Sequence, residues 1–240
     1  MRIIKPLVIV ETEILTDEWG KKLEYMVRKC YKSEAKTTED SYSNFIRKIF
    51  QTIKHEGIIE HFTVSATMIT DRGVSHEHVR HRMATYLQES TRYVDYSGKG
   101  VTFILPPWVK PYDIACIDEW EEFISDCAGD EKKYNKWRTK YGWKPQQARY
   151  WLPNGIKTEY VATHNLGSWY NFFRKRTAVQ AHPQIRQLAI PLLRHFQEKL
   201  PMIFDGIELP VLDYPEAKLI LHYGSEQIDS QFEEVYSSVS

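Results

Sequence analysis

Cysteine is scarce in this 240-residue chain: Cys30, Cys116 and Cys127 are the three present, and no CxxC pair occurs. Three scattered thiols are too few for a disulfide framework, and without a CxxC pair a structural zinc site is not expected. An odd count of partly buried free thiols fits a reducing compartment, and a cytoplasmic location is expected. Net charge is also missing, with 32 Lys+Arg balanced by 32 Asp+Glu, so a general nucleic-acid binder is not expected. No apolar run approaches the ~18–20 residues of a membrane span. The opening MRIIKPLVIVETE turns acidic without a small-residue cleavage site and reads as a strand, so no membrane partner is expected. Neither GxGxxG nor GxxxxGK[ST] is present, so a flavin, nicotinamide or nucleotide must bind outside those phosphate loops.

Repeats and Gly-, Ser- or Pro-rich linkers are absent too, which predicts one domain over 1–240 with an acidic C-terminal tail from about 225. Hydrophobic periodicity predicts strands at 3–15, 62–70, 101–105 and 161–166. Helices are predicted at 17–31, 41–55, 115–141, 146–151, 168–175 and 182–199, and from a capping Ser75 to about Glu89. The strands at 62–70 and 101–105 are compatible with a hairpin-like return. The expected class is mixed α/β (α+β), with a central mixed or antiparallel sheet flanked by helices.

Charge is unevenly placed. Eight acidic residues and no basic one lie between Asp113 and Glu131, a pattern of a solvated face. The tail adds Glu226, Asp229, Glu233 and Glu234. Between Lys144 and Arg186 seven basic residues face only Glu159. There Arg149, Arg174, Arg176 and Arg186 stand among Tyr150, Trp151, Trp169, Tyr170, Phe172 and Phe173. Guanidinium forks suit phosphate and carboxylate, and aromatic rings suit heterocycles, so this segment suggests a nucleotide pocket.

The densest polar stretch is Ser75–Arg92, with His76, His78 and the arginines 80, 82 and 92 converging near Ser90. On a helix, Glu77, Arg80 and His81 would share one side. Metal chemistry is disfavoured: the histidines of HEGIIEH, His55 and His61, are six apart where one helical face needs four, and arginines flank His81. Ser90 lacks the GxSxG elbow and a base, so it is better suited to holding an anion than to attacking a carbonyl. Two other classes remain open on these residues alone. A non-catalytic nucleotide- or RNA-binding module would be colourless when pure, and a metal-dependent hydrolase would carry stoichiometric zinc.

Arg80-His81-Arg82, seven further residues and Ser90 resemble the signature of the flavin-dependent thymidylate synthases. HEGIIEH at 55–61, ARYWLP at 148–153, NLGSWYNFFRKR at 165–176 and AHPQIR at 181–186 resemble further family elements in the same order. The resemblance covers roughly 30–200. It implies a homotetramer with shared active sites that makes dTMP from dUMP. Methylenetetrahydrofolate would give the carbon, and NADPH would reduce the enzyme through FAD. It further implies FAD contacts from Arg80, His81, Arg82, Gln88, Asn165 and Asn171, with Gly57 at a flavin-contact position often held by Ser or Thr. Around dUMP it implies Glu77, Arg80, Gln88, Glu89, Ser90, Thr91, Arg92, Arg149 and Arg176. Arg176 would help ionise the pyrimidine, with Ser90 beside the reacting nucleotide. Gln88 replaces a Glu of some members, and Gln180 a His. The cysteines lie away from this basic cluster in sequence, which fits a route without a thiol nucleophile.

Overall fold

The computed structural model describes residues 1–224 and 231–238. Strand β1 (Arg2–Ile4) and strand β2 (Leu7–Val10) are separated at Lys5-Pro6. The expected single strand at 3–15 is therefore two, because Pro6 has no N–H to give a ladder. The two strands enter different sheets. One has the order β5-β1-β8, with β5 at Thr102–Ile104 and β8 at Glu234–Ser237. The other has the order β4-β6-β3-β2-β7, with β3 at Thr63–Asp71, β4 at Ala84–Gln88, β6 at Lys157–Asn165 and β7 at Lys218–Leu221. Parallel pairs β1/β5 and β2/β7 make both sheets mixed, as expected. The hairpin-like return between 62–70 and 101–105 is not made, since β3 pairs β2 and β6 while β5 pairs β1.

Helices α1 (Thr16–Tyr31), α2 (Ser41–Arg47), α3 (Arg72–His78), α4 (Ile117–Asn135), α5 (Pro145–Ala148), α6 (Leu166–Arg176), α7 (Pro183–Lys199) and α8 (Pro201–Phe204) surround these sheets. Alternation along β2 divides its side chains between two cores. Val8 and Val10 join the main core with Leu23, Ile46, Trp169, Phe173, Leu192 and Phe196. Leu7 and Ile9 meet Ile4, Ile69 and Ile104 in a smaller cluster that joins the two sheets. Ile53, an apolar residue of the helix predicted at 41–55, is exposed. Among the thiols Cys30 is exposed, Cys116 half-buried and Cys127 buried, its pKa pushed up to about 12 by burial and by Asp130 and Asp126. No helix among the described residues is long and apolar enough to cross a membrane.

Two features tie the chain ends down. Pro191 sits inside α7 and cannot donate to the carbonyl four residues earlier, that of Gln187. That carbonyl instead accepts from Ala217 N at 3.1 Å, while Gln187 Nε2 donates to Pro215 O at 2.7 Å. The segment leading to β7 is thereby held on α7. Glu226 and Asp229 of the acidic tail lie outside the described residues. Glu233 and Glu234 do not belong to a free tail: Glu233 pairs with Lys5, and Glu234 opens β8 against β1.

Candidate active site

The Ser75–Arg92 stretch differs most from its expected form. The helix starts earlier, capped by Asp71, whose Oδ1 accepts from Val74 N at 2.9 Å, and it ends at His78. Ser75 is buried within it and donates to Arg72 O at 2.9 Å. The chain then turns and runs as β4, paired antiparallel with β6 from Ala84↔His164 to Gln88↔Tyr160. Tyr86 secures the turn, its hydroxyl 2.8 Å from His78 O and 2.9 Å from His81 O. Arg80 and His81 therefore do not share a helix face with Glu77.

Tertiary structure brings Glu77 and His81 together by another route, through Arg176 at the C-terminus of α6. Arg176 Nη1 donates to Glu77 Oε2 at 2.7 Å, Nη2 to Glu77 O at 3.1 Å, and Nε to His81 Nε2 at 3.0 Å. Arginine only donates, so His81 accepts at Nε2 and is neutral, with its proton on Nδ1. Burial and the nearby Arg176 and Lys175 charges hold its pKa at about 4. Behind it His78 stacks on Phe172 and His164 on Trp169, each with ring centroids 4.3 Å apart. Burial drives the pKa of His78 well down and that of His164 to about 3. The floor of this end is thus dry, aromatic and uncharged.

Around it stand the residues implied for FAD. Arg80 and Arg82 are exposed, and among the described residues neither forms an ion pair with an acid. Asn165 caps α6, accepting from Ser168 N at 2.7 Å, so the helix expected from 168 begins earlier. Asn171 is exposed on the same helix. Gly57 lies in the exposed turn Glu56–His61, and a Cβ added there would meet nothing within 4 Å. Leu166 N donates to Phe62 O at 3.0 Å, bringing that turn against α6. Gly167 permits the approach, since a Cβ on it would lie 3.2 Å from Glu60 Cγ.

Of the residues implied for dUMP, Glu77, Arg80 and Arg176 stand at this first end, while Gln88, Glu89, Ser90, Thr91, Arg92 and Arg149 gather at the other end of β4. Gln88 Nε2 lies 2.9 Å from both Ser75 Oγ and Thr158 Oγ1. Ser90 starts a turn in which its carbonyl accepts from Tyr93 N and Val94 N at 3.0 Å. Its Oγ accepts from Arg92 N at 3.3 Å. Arg149 Nη1 is 3.5 Å from the buried Thr91 Oγ1, and Arg149 itself is exposed. Glu89 is engaged at both oxygens, by Tyr96 OH at 2.7 Å and Lys157 Nζ at 3.0 Å. Sequence reasoning missed Tyr96 and Lys157; a lysine opening a strand carries no signal of its own. Ala84 and Gln88 are separated by about 13 Å at ~3.3 Å per strand residue, so one chain holds the two groups apart.

Several known proteins resemble this chain. A family model described as thymidylate synthase complementing protein matches residues 15–202. A flavin-dependent thymidylate synthase from Geobacter sulfurreducens is 30% identical over 195 residues, covering 74% of this chain and 77% of that protein. One from Pyrococcus abyssi is 28% identical over 187 residues, covering 77% and 74%. Among solved structures, a flavin-dependent thymidylate synthase from Helicobacter pylori with FAD and dUMP superposes with a TM-score of 0.65 at 18% identity. It covers 85% of this chain and 100% of that one. A UMP/dUMP methylase from Streptomyces cacaoi bound with 5-Br dUMP gives 0.67 at 18% identity, covering 84% and 94%. At that identity the likeness speaks to the fold.

Proposed function

The chain belongs to the flavin-dependent thymidylate synthases, and from that premise we propose that it methylates dUMP to dTMP with methylenetetrahydrofolate and NADPH as co-substrates. The observation that carries this reading is the grip of Arg176 on Glu77 and the neutral His81, beside two arginines that have no acidic partner among the described residues. The donor set fits FAD. Arg80 and Arg82 suit a pyrophosphate, and the Asn165 and Asn171 amides with the open backbone at Gly57 suit the edge of a flat heterocycle. Bound FAD supplies the electrons that turn a transferred methylene into a methyl. In this reading the chain's own residues hold and polarise the nucleotide. Ser90, Thr91, Arg92 and Arg149 take its anionic groups, with Gln88 and Glu89 bordering the subsite. Arg176, fixed by its contacts, presents positive charge where the pyrimidine gains negative charge, and Glu77 tempers it. The RNA-binding and hydrolase alternatives give way to this enzyme.

The separation of the two groups supports a site shared between subunits. β4 is an edge strand, and its neighbourhood exposes Met83 (77%), Leu87 (73%) and Tyr93 (77%). Bare apolar edges invite pairing. A homotetramer, working in the cytoplasm, would bring the Arg80–Arg176 end of one chain to the Ser90–Arg149 end of another. Sedimentation should then give four times 28.4 kDa, and a fully active monomer would end this part of the reading. Reassembly of Arg176→Ala with Arg149→Ala subunits, whose defects lie in opposite groups of the chain, should recover part of the lost activity.

The function itself is tested on the purified protein. Flavin absorbance is expected, and dTMP should form only when dUMP, the folate and NADPH are all present. A protein that stays colourless after FAD addition and makes no dTMP overturns the reading.

A further inference from the structure

We propose that Tyr96 and Lys157 are positioning residues that act through Glu89 to hold the Ser90–Arg92 turn ready for the nucleotide; this rests on the reading of that turn as the dUMP subsite. Glu89 is the last residue before the turn, and Tyr96 lies seven positions on. The Tyr96 OH to Glu89 Oε1 hydrogen bond of 2.7 Å closes the intervening loop across its base. Lys157 Nζ, 3.0 Å from Glu89 Oε2, fastens the closed loop to the start of β6. Glu89 N donates to Glu159 O at 2.8 Å and fixes the backbone beside it. The Glu89 and Lys157 side chains are only 16% and 20% exposed, so water weakens their pairing less than it would at an open surface.

The far side of the loop is anchored as well. Arg138, just past the end of α4, donates from Nε to Asp95 Oδ1 at 3.1 Å. Tyr96 N donates to Tyr134 OH at 3.4 Å, and the two rings meet edge to face at 5.9 Å. Burial and the Glu89 carboxylate raise the Tyr96 pKa, so its hydroxyl remains a donor. Contacts therefore run from α4 through Asp95 and Tyr96 to Glu89, and from Glu89 to β6. Between these anchors only the turn protrudes, carrying Ser90 and the exposed Arg92. A turn already held in one shape loses less freedom when it closes on a ligand, and affinity gains by that difference. With both oxygens occupied, Glu89 orders the site from behind.

Two measurements on the full-length protein test this with Lys157→Met, Tyr96→Phe and the conservative Lys157→Arg. Hydrogen exchange without nucleotide should accelerate about tenfold in residues 89–97 of the first two variants, while β3 is unchanged. The dissociation constant and KM for dUMP should rise about tenfold, with kcat at saturating dUMP and FAD affinity retained. Lys157→Arg should restore both readouts. Unaltered exchange and dUMP affinity in Lys157→Met and Tyr96→Phe would overturn the proposal. So would an equal loss of FAD affinity, which marks general damage. If the unmodified protein binds no dUMP, the functional reading and the nucleotide role fall together. The exchange data then show separately whether the clamp exists.

Discussion

The two ends of β4 carry the same residue types under opposite conditions. At one end Arg176 is fixed at all three nitrogens over a floor of stacked aromatics and neutral histidines. At the other, Arg92 extends from an open turn with the exposed Arg149 beside it, and order comes from ion pairs set behind the turn. The first arrangement suits directing charge at a reacting ring, because charges already held in place need little reorganisation. The second suits capturing a hydrated phosphate, where forked donors benefit from reach.

The contrast can be broken at the packed end first. Phe172 is 1% exposed and supports His78 and His81, so Phe172→Ala should cost about 3–5 kcal/mol of stability. Denaturant unfolding checks this, and a loss below 1 kcal/mol would show that the floor is loosely packed. Next comes Arg176→Ala, expected to lower kcat by a factor worth about 3–4 kcal/mol, as removal of a preorganised charge does. Steady-state dTMP formation measures it; near-normal turnover would remove Arg176 from the chemistry. Ser90→Ala should cost less, ~1–3 kcal/mol and mainly in dUMP affinity, if Ser90 only hydrogen-bonds. A catalytically dead Ser90→Ala beside an active Arg176→Ala would reverse the two ends.

Acidity should separate the ends most gently. The pKa values of His81 and His164 fall from an ordinary 6.5 to about 4 and about 3, and His78 moves the same way. Between those values the unfolded chain binds more protons than the folded one. The stability from keeping these rings neutral is complete above about pH 6.5 and is lost as the pH falls through the folded values. Thermal melts from pH 7 to pH 4 should show a falling Tm, less steep in His164→Phe. Identical slopes would clear His164 of that role.

Much of this fold is legible in sequence where one side of an element is apolar. The stripes of α1, α4 and α7 and the β-branched run of β3 gave their elements within a few residues. β4 was hidden because Ala84–Gln88 has no fully buried position, so alternation had no apolar phase to reveal it. The nearby His, Glu and Arg spacing imitated a helix face instead. β7 and β8 are short strands whose partners lie at the other end of the chain, beyond any local pattern. The site was legible as a set of residue types through the Arg80–Ser90 signature. Its division between the ends of β4 was not, because strand length becomes a distance only when the strand is known. Glu77 and His81 were named for the right neighbourhood on the wrong geometry, and Lys157 carried no pattern at all.

The attachment of the C-terminal segment to α7 has a consequence for how the chain is born. Leu7 pairs with Lys218 and Arg2 with Ser237, so β1 and β2 wait for segments made more than 200 positions later to complete their sheets. Until then one edge of β2 is bare, and its four residues are the apolar LVIV. The Gln187 carbonyl left free by Pro191 is a landing point only 30 positions before Ala217, close enough to catch the segment once translated and bring β7 to β2. Pro191→Ala would let α7 close that hydrogen bond within itself and make the catch less effective. We predict that stalled nascent chains ending near residue 212 self-associate through β2, that full-length chains do not, and that the Pro191→Ala protein lies between them. Equal solubility of all three during synthesis would refute this order of assembly.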